Sequence, residues 1–183
     1  NKHGRAIRFH ESTVREMGRT ATGVRGMTLD ETGDDEVIGM ICIKDPEKET
    51  VMVVSEQGYG KRSEIEDYRI TNRGGKGVKT LNITEKTGNL VAIKSVTDEN
   101  DLVIINKSGI TLRMKVADVR IMGRATQGVR LINLEKRNDE IASVCKVLSE
   151  TESDSSNSEN IDSASEINEA EVYVYLPEAF LLK

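Results

Sequence analysis

The chain has 183 residues, of which 31% are charged and only 3% aromatic, with no tryptophan. Its net charge of −5 is unevenly spread: residues 1–147 hold 25 basic and 22 acidic side chains, whereas residues 148–183 hold nine carboxylates and one lysine. A body near +3 joined to a tail near −8 points to a polyanionic partner for the body, and no apolar run approaches the ~20 residues that span a bilayer, so a soluble, cytoplasmic protein without a membrane partner is expected.

In chain order, short runs rich in Val, Ile, Leu and Met predict strands at 5–9, 23–29, 36–43, 50–55, 59–65, 77–84, 89–97, 101–106, 110–115, 128–134 and 140–147. Turn chemistry separates them, as in Thr32-Gly33-Asp34, Glu56-Gln57-Gly58, Lys86-Thr87-Gly88-Asn89 and Lys107-Ser108-Gly109. No sustained helical period occurs, so the body is expected to be all-β. Cys42 and Cys145 stand far apart in apolar runs without metal-ligand spacing and are expected as buried, reduced thiols. From Leu148 to about Ala170 the chain turns to Ser, Glu, Asp and Asn, too polar to offset its ordering entropy, and disorder is expected. The apolar stretch 172–182 reads either as a strand completing a sheet edge or as sequence foreign to the fold.

The body repeats. Gly4, Gly58 and Gly109 each open a unit with a basic residue four places on (Arg8, Arg62, Arg113). Further arginines follow at eleven places (Arg15, Arg69, Arg120) and fifteen (Arg19, Arg73, Arg124), and a Gly-Val pair at nineteen, trailed by Arg25, Lys79 and Arg130. The copies are 54 and 51 residues apart, a period typical of propellers and solenoids. Four strands fit in each unit, so the expectation is a propeller-like fold of about three four-stranded blades, with units near 4–57, 58–108 and 109–147 and a tail over 148–183. Propellers have about four to eight blades and the chain begins at Asn1 inside a unit, so a fragment of a longer chain is expected.

VREMGRTATGVRGMTL (14–29) and VRIMGRATQGVRLINL (119–134), with the middle unit YRITNRGGKGVKTLNI (68–83) and the preceding Gly58-Tyr-Gly-Lys-Arg62, resemble the carboxy-terminal domain of DNA gyrase A over nearly all of 1–147. That resemblance implies a six-bladed β-pinwheel, in which neighbouring blades exchange strands and duplex DNA bends around a basic rim. It also implies partners, namely the rest of gyrase A together with gyrase B in a heterotetramer, with ATP and Mg used by gyrase B and the cleavage core. It implies no cofactor and no catalytic residue within this stretch. The family's box has the form Q-R-R-G-G-[RK]-G. Thr71-Asn-Arg-Gly-Gly-Lys-Gly77 matches its last five positions and lacks the leading Gln-Arg.

Repeated cations suit a regular polyanion because each neutralised phosphate releases counterions. Expected DNA contacts are Arg8, Arg19, Arg25, Lys61, Arg62, Arg73, Lys76, Lys79, Arg113, Lys115, Arg124 and Arg130. Blander readings stand beside them: Gly23, Gly77 and Gly128 as turn or bulge glycines, Arg19 and Arg124 as loop bridges, and Arg15, Arg69 and Arg120 as a solvated face. Enzymatic readings find no support, since His3 and His10 have no cysteine or paired carboxylates at ligand spacing and no P-loop occurs. The function expected is a non-catalytic DNA-wrapping module. The alternatives are the equivalent domain of the topoisomerase IV counterpart of gyrase A and a propeller that binds proteins instead of DNA.

Overall fold

The computed structural model describes residues 1–31, 33–134 and 139–149. Of the segment expected to be disordered from Leu148, Leu148 and Ser149 are described and ordered, Leu148 closing a strand and Ser149 donating its N–H to the Glu99 carbonyl; the rest of it and the apolar stretch 172–182 lie outside the described residues. Nine strands form within them: β1 (Arg5–Ala6), β2 (Thr50–Ser55), β3 (Tyr59–Glu64), β4 (Val78–Lys79), β5 (Leu90–Val96), β6 (Asn100–Asn106), β7 (Thr111–Lys115), β8 (Val129–Arg130) and β9 (Ile141–Leu148). There is no α-helix among the described residues, only three single 3₁₀ turns at Glu11–Thr13, Ile65–Asp67 and Val116–Asp118, each seven places after the opening glycine of its repeat. None is long and apolar enough to cross a membrane.

The strands make three antiparallel sheets ordered β1-β4, β5-β2-β3-β8 and β7-β6-β9. Hairpins build the second and third. Ser55 turns to Tyr59 through Glu56-Gln57-Gly58, where Gly58 takes φ +76° and its N–H donates to the Ser55 carbonyl at 3.0 Å. This is a three-residue loop closed by a left-handed glycine, a geometry that matches strand twist. Gly109 repeats it at φ +85° on the Asn106 carbonyl. Register shifts recur at equivalent points, Val54/Ser55 and Ile105/Asn106.

All six residues of β2 are buried because the strand is covered on both faces. With the two-residue alternation of a strand, Met52 and Val54 enter a core with Val96, Leu102, Ile104, Val116 and Ile141, while Val51 and Val53 enter another with Ile65, Tyr68, Leu81 and Leu90. Aliphatic side chains thus do the packing, as the scarcity of aromatics requires.

Adjacent repeats are joined by strand exchange. β4, from the second repeat, pairs with β1 of the first (Ala6↔Val78, Arg5↔Lys79). β8, from the third, pairs with β3 of the second in the same register (Gly60↔Val129, Tyr59↔Arg130). Beyond the two paired residues the exchanged segments bond to one carbonyl: Gly4 accepts from Thr80 and Leu81, and Gly58 from Leu131 and Ile132. The expected strands 77–84 and 128–134 are therefore shortened to two residues each.

Three further expectations are corrected. Residues 23–29 form no strand, because among the described residues no edge lies alongside Val24 and Arg25. Residues 36–43 also form none; Ile38, Ile41 and Ile43 pack on the second core without joining a ladder. Cys42 and Cys145 are free and exposed rather than buried, Cys42 because it sits in that unladdered segment and Cys145 because β9 is a sheet edge whose residues at 142, 143, 145 and 146 face outward.

Candidate nucleic-acid interface

The repeated arginines fall into two sets. In the set four places after each opening glycine, Arg8 and Arg62 are turned inward, whereas Arg113 is exposed. Arg8 donates from Nη1 to the carbonyls of Ile65 (3.0 Å) and Tyr68 (3.2 Å), which belong to the 3₁₀ turn of the next repeat. Arg62 repeats the move: Nη1 donates to Val116 of the following 3₁₀ turn at 3.2 Å, and to Asp98 at 2.6 Å, while Nε donates to Thr50 Oγ1. Backbone follows side chain, with Thr71 N–H on the Arg8 carbonyl and Met122 N–H on that of Arg62. Arg113 donates to Asp101 at 2.8 Å and to the Leu148 carbonyl at 3.4 Å.

The set fifteen places on reaches backward instead. Arg73 donates to the carbonyls of Thr13 and Arg25 in the first repeat, and Arg124 to that of Lys79 in the second at 2.9 Å. These arginines tie one repeat to the next. Their planar, multi-donor heads suit carbonyls at the ends of 3₁₀ turns as well as they suit phosphates.

Two expected DNA contacts are corrected outright by burial. Arg62 is 4% exposed. Lys61 is 0% exposed, its ammonium donating to Gly123 O at 2.7 Å, to Arg124 O and to Thr126 Oγ1. Burial pushes Lys61 down from 10.5 to about 8, with Asp67 opposing the shift and Arg124 adding to it. No phosphate can approach either head. Gly77 and Gly128 sit at the joints with φ +70° and +83°, where a Cβ would collide with the Ala6 and Gly60 carbonyl oxygens; the fold itself requires glycine there.

What remains open to solvent is a different set. Arg15, Arg69 and Arg120, eleven places into each repeat, are all exposed and have no hydrogen-bond or ion-pair partner among the described residues. Arg19, Arg25, Lys76, Lys79 and Lys115 are exposed as well, Lys79 reaching Asn82 Oδ1 at 3.2 Å. Arg130 is exposed and holds the Tyr59 hydroxyl from Nε and Nη2. The segment echoing the family box lines a groove of about 240 Å³ through Thr71, Asn72, Gly75, Lys76 and Gly77, with Arg69 alongside. Arg73, the box-like arginine, points out of that groove toward the first repeat.

The fold also brings together what the sequence keeps apart around His3. Its Nδ1 lies 3.2 Å from Asp30 Oδ2 and its Nε2 3.5 Å from Asp34 Oδ2, and Asp35 stands behind at 3.9 Å. Sequence spacing offers His3 no paired carboxylates; the fold supplies them from a loop about thirty residues on. The hydrogen bond to Asp30 raises the His3 pKa above 6.5, and Asp35 and Asp34 add to it against a desolvation cost.

Known proteins share both the repeat and its fold. The family described as DNA gyrase C-terminal domain, beta-propeller, matches residues 1–44, 49–97 and 100–145, one segment for each repeat. DNA gyrase A of Staphylococcus aureus strain NCTC 8325 is 48% identical over 157 residues, 86% of this chain and 17% of that protein. That of strain MRSA252 is 47% identical over 167 residues, covering 91% and 18%. Among solved structures, a DNA gyrase A C-terminal domain superposes with TM-score 0.72 at 29% identity, over 80% of this chain and 48% of the other. The C-terminal domain of DNA topoisomerase IV superposes with TM-score 0.74 at 24% identity, over 80% and 45%, which shows the shared fold. The chain thus spans less than a fifth of the length of the curated relatives it matches.

Proposed function

This chain belongs to the family of DNA gyrase C-terminal β-propeller domains, and from that premise we propose that it binds and bends duplex DNA without breaking it. The observation that supports this reading is the exposed arginine, without a partner among the described residues, at one register position of every repeat, Arg15, Arg69 and Arg120. Arg19, Arg25, Lys76, Lys79, Lys115 and Arg130 extend the set. Arg8, Arg73, Arg113 and Arg124, whose heads are engaged by carbonyls or a carboxylate, contribute by holding repeats at fixed spacing and by long-range potential.

Bending a duplex of about 20–30 base pairs through about 40–90° costs on the order of 1–6 kcal/mol. A curved track repays that cost only if contacts recur along it. Joined repeats with one equivalent cation each supply recurrence, and the arginine ties that keep the repeats in register supply the rigidity. Each neutralised phosphate adds sequence-independent affinity through counterion release. The scarcity of aromatic side chains disfavours stacking on single strands.

Within a whole gyrase, the module would deliver a wrapped segment to a cleavage gate elsewhere in gyrase A, with ATP and Mg used by gyrase B and the cleavage core. The identity to gyrase A chains favours this over a topoisomerase IV role. The test is affinity against salt for duplexes of unrelated sequence. Equal affinities that fall steeply with salt are expected; a flat salt profile or one tightly preferred sequence refutes the reading, and no binding at all returns the fold to the protein-binding alternative.

A further inference from the structure

Two exposed isoleucines share one register position in adjacent repeats. Ile70 and Ile121 each stand twelve places after the opening glycine of their repeat, directly after the open arginines Arg69 and Arg120. Ile70 is 62% exposed and Ile121 46%. Neither serves a core; Tyr68 and Val119, two places earlier, do that at 4% and 2% exposed. Single exposed apolar side chains are ordinary on a protein surface, but recurrence at one register beside an open cation is not scatter. The other large apolar side chains exposed on the described body lie in the first repeat or at the edges of the last sheet. Ile70 belongs to the middle repeat, which is joined on both sides, so its exposure is a property of the finished joint.

The joint also fixes the backbone that carries them. Ile70 bridges in parallel to Arg8, and Ile121 to Arg62. The next N–H along, that of Thr71 or Met122, donates to the Arg8 or Arg62 carbonyl at 2.9 Å in each case. Each isoleucine is thus anchored by the same arginine whose head grips the neighbouring 3₁₀ turn. Branching at Cβ leaves an isoleucine few rotamers, so ordering it against a ligand costs little entropy. Each of these two repeats therefore presents a cation and a stiff apolar side chain on Cα atoms about 3.8 Å apart.

We propose that Ile70 and Ile121 pack on deoxyribose rings of duplex DNA, each beside a phosphate held by Arg69 or Arg120. The contact rests on the reading of the chain as a duplex-binding module and adds an uncharged component to it. A nucleic-acid backbone alternates an anionic phosphate with a largely apolar sugar, the same alternation that each of these repeats offers. An apolar protein surface would cover the isoleucine but strand the adjacent guanidinium in a dry interface, a desolvation cost that nothing offsets. The sugar itself matters. On deoxyribose the C2′ methylene meets the isoleucine, whereas ribose would press a 2′-hydroxyl against it and strip that hydroxyl of water. Ile70 and Ile121 thus favour DNA over RNA. In the first repeat the same register position is Glu16, whose carboxylate repels phosphate, so the contact is confined to the second and third repeats.

Fluorescence anisotropy with a DNA duplex and an RNA duplex of the same sequence, over a range of salt, tests the contact in the double variant Ile70→Ser/Ile121→Ser. Counterion release depends on the phosphates neutralised, so the slope of log affinity against log salt is expected to stay as it is. DNA affinity is expected to fall at every salt by about tenfold, the equivalent of half-burying two isoleucines. RNA affinity is expected to fall less, which narrows the preference for DNA. Ile70→Leu/Ile121→Leu, which keeps the apolar contact, is expected to retain most of the affinity, and both variants to melt with the unsubstituted chain; should the serine pair melt lower, the two single serine variants carry the same test. Unchanged DNA affinity in the folded serine variant overturns the inference, as does a reduced slope or an equal loss on DNA and RNA. Absence of DNA binding by the unsubstituted chain would overturn the proposed function and this contact together, whereas salt-dependent binding that the serine variant leaves intact overturns this contact alone.

Discussion

Lys61 provides the sharpest check on the packing between the second and third repeats. Its ammonium is buried on two carbonyls and the Thr126 hydroxyl, and its pKa falls from 10.5 to about 8. The unfolded chain therefore holds this proton to higher pH than the folded one does, so stability rises with pH across the window between the two values. With those two values, the linkage relation gives a gain on the order of 1 kcal/mol on going from about pH 7 to about pH 9. For a body of this size that is a rise of roughly 2–4 °C in melting temperature. Two other groups titrate nearby. Burial lowers the Asn1 ammonium below 8.0, which adds a gain at lower pH. His3, raised above 6.5, loses its contribution as pH climbs through its folded value. Comparison with Lys61→Met isolates the lysine, since every other group is common to both proteins. Denaturant unfolding at several pH values is the assay, and the difference between the two proteins is expected to shift by on the order of 1 kcal/mol in favour of the lysine form as pH rises. A difference that does not change with pH would show that Lys61 is solvated and would remove the argument for its burial.

Replacing Arg62 by Ala frees the Val116 carbonyl and Thr50 from a charged donor and is expected to cost about 1.5–3 kcal/mol; little of that comes from Asp98, whose side chain is 75% exposed. Arg120→Ala, at an open position, is expected to change stability by less than ~0.5 kcal/mol, and the same denaturation assay compares them. Combined replacement of Arg69, Lys76 and Arg120 by Ala is expected to weaken all duplexes alike and to reduce the magnitude of the salt slope by up to about 0.9 per lost phosphate contact, in a protein whose circular dichroism is unchanged. Neutralising the seven carboxylates between Glu150 and Glu169 is expected to tighten DNA binding most at low salt, where screening is weakest; affinity unchanged by the substitutions would show that the tail does not compete for the basic surface.

The repeat, its period and the hairpins are legible in the sequence because turn glycines and aliphatic alternation are local signals. The destination of a long cation is not local. Arg8 and Arg15 read alike along the chain, but Arg8 lies where the next 3₁₀ turn offers carbonyls and Arg15 lies where nothing does. Arg8, Arg62, Arg73 and Arg124 are therefore engaged by the fold, and the register that reads as a plain solvated face carries open charge. Lys61 stands out only by comparison, since its counterparts three places into the other repeats are the apolar Ile7 and Leu112. The exchanged strands read too long in the sequence for the same reason: a seven-residue aliphatic run predicts a strand, and only the partner edge decides how much of it pairs. Nothing in the sequence around His3 points to Asp30, Asp34 and Asp35, which reach it through loop closure.

Strand exchange also sets a schedule for synthesis. Tyr59 leaves the ribosome 71 residues before its partner Arg130, and at about 5–20 residues per second the wait is about 4–14 s. Throughout it, β3 offers an unpaired ladder edge to whatever else is nascent nearby, and closure of so long a loop is slow in itself. Each repeat is thus finished by its successor, so an elongation pause between about residues 64 and 129 would leave a half-built sheet poised to pair with the wrong chain.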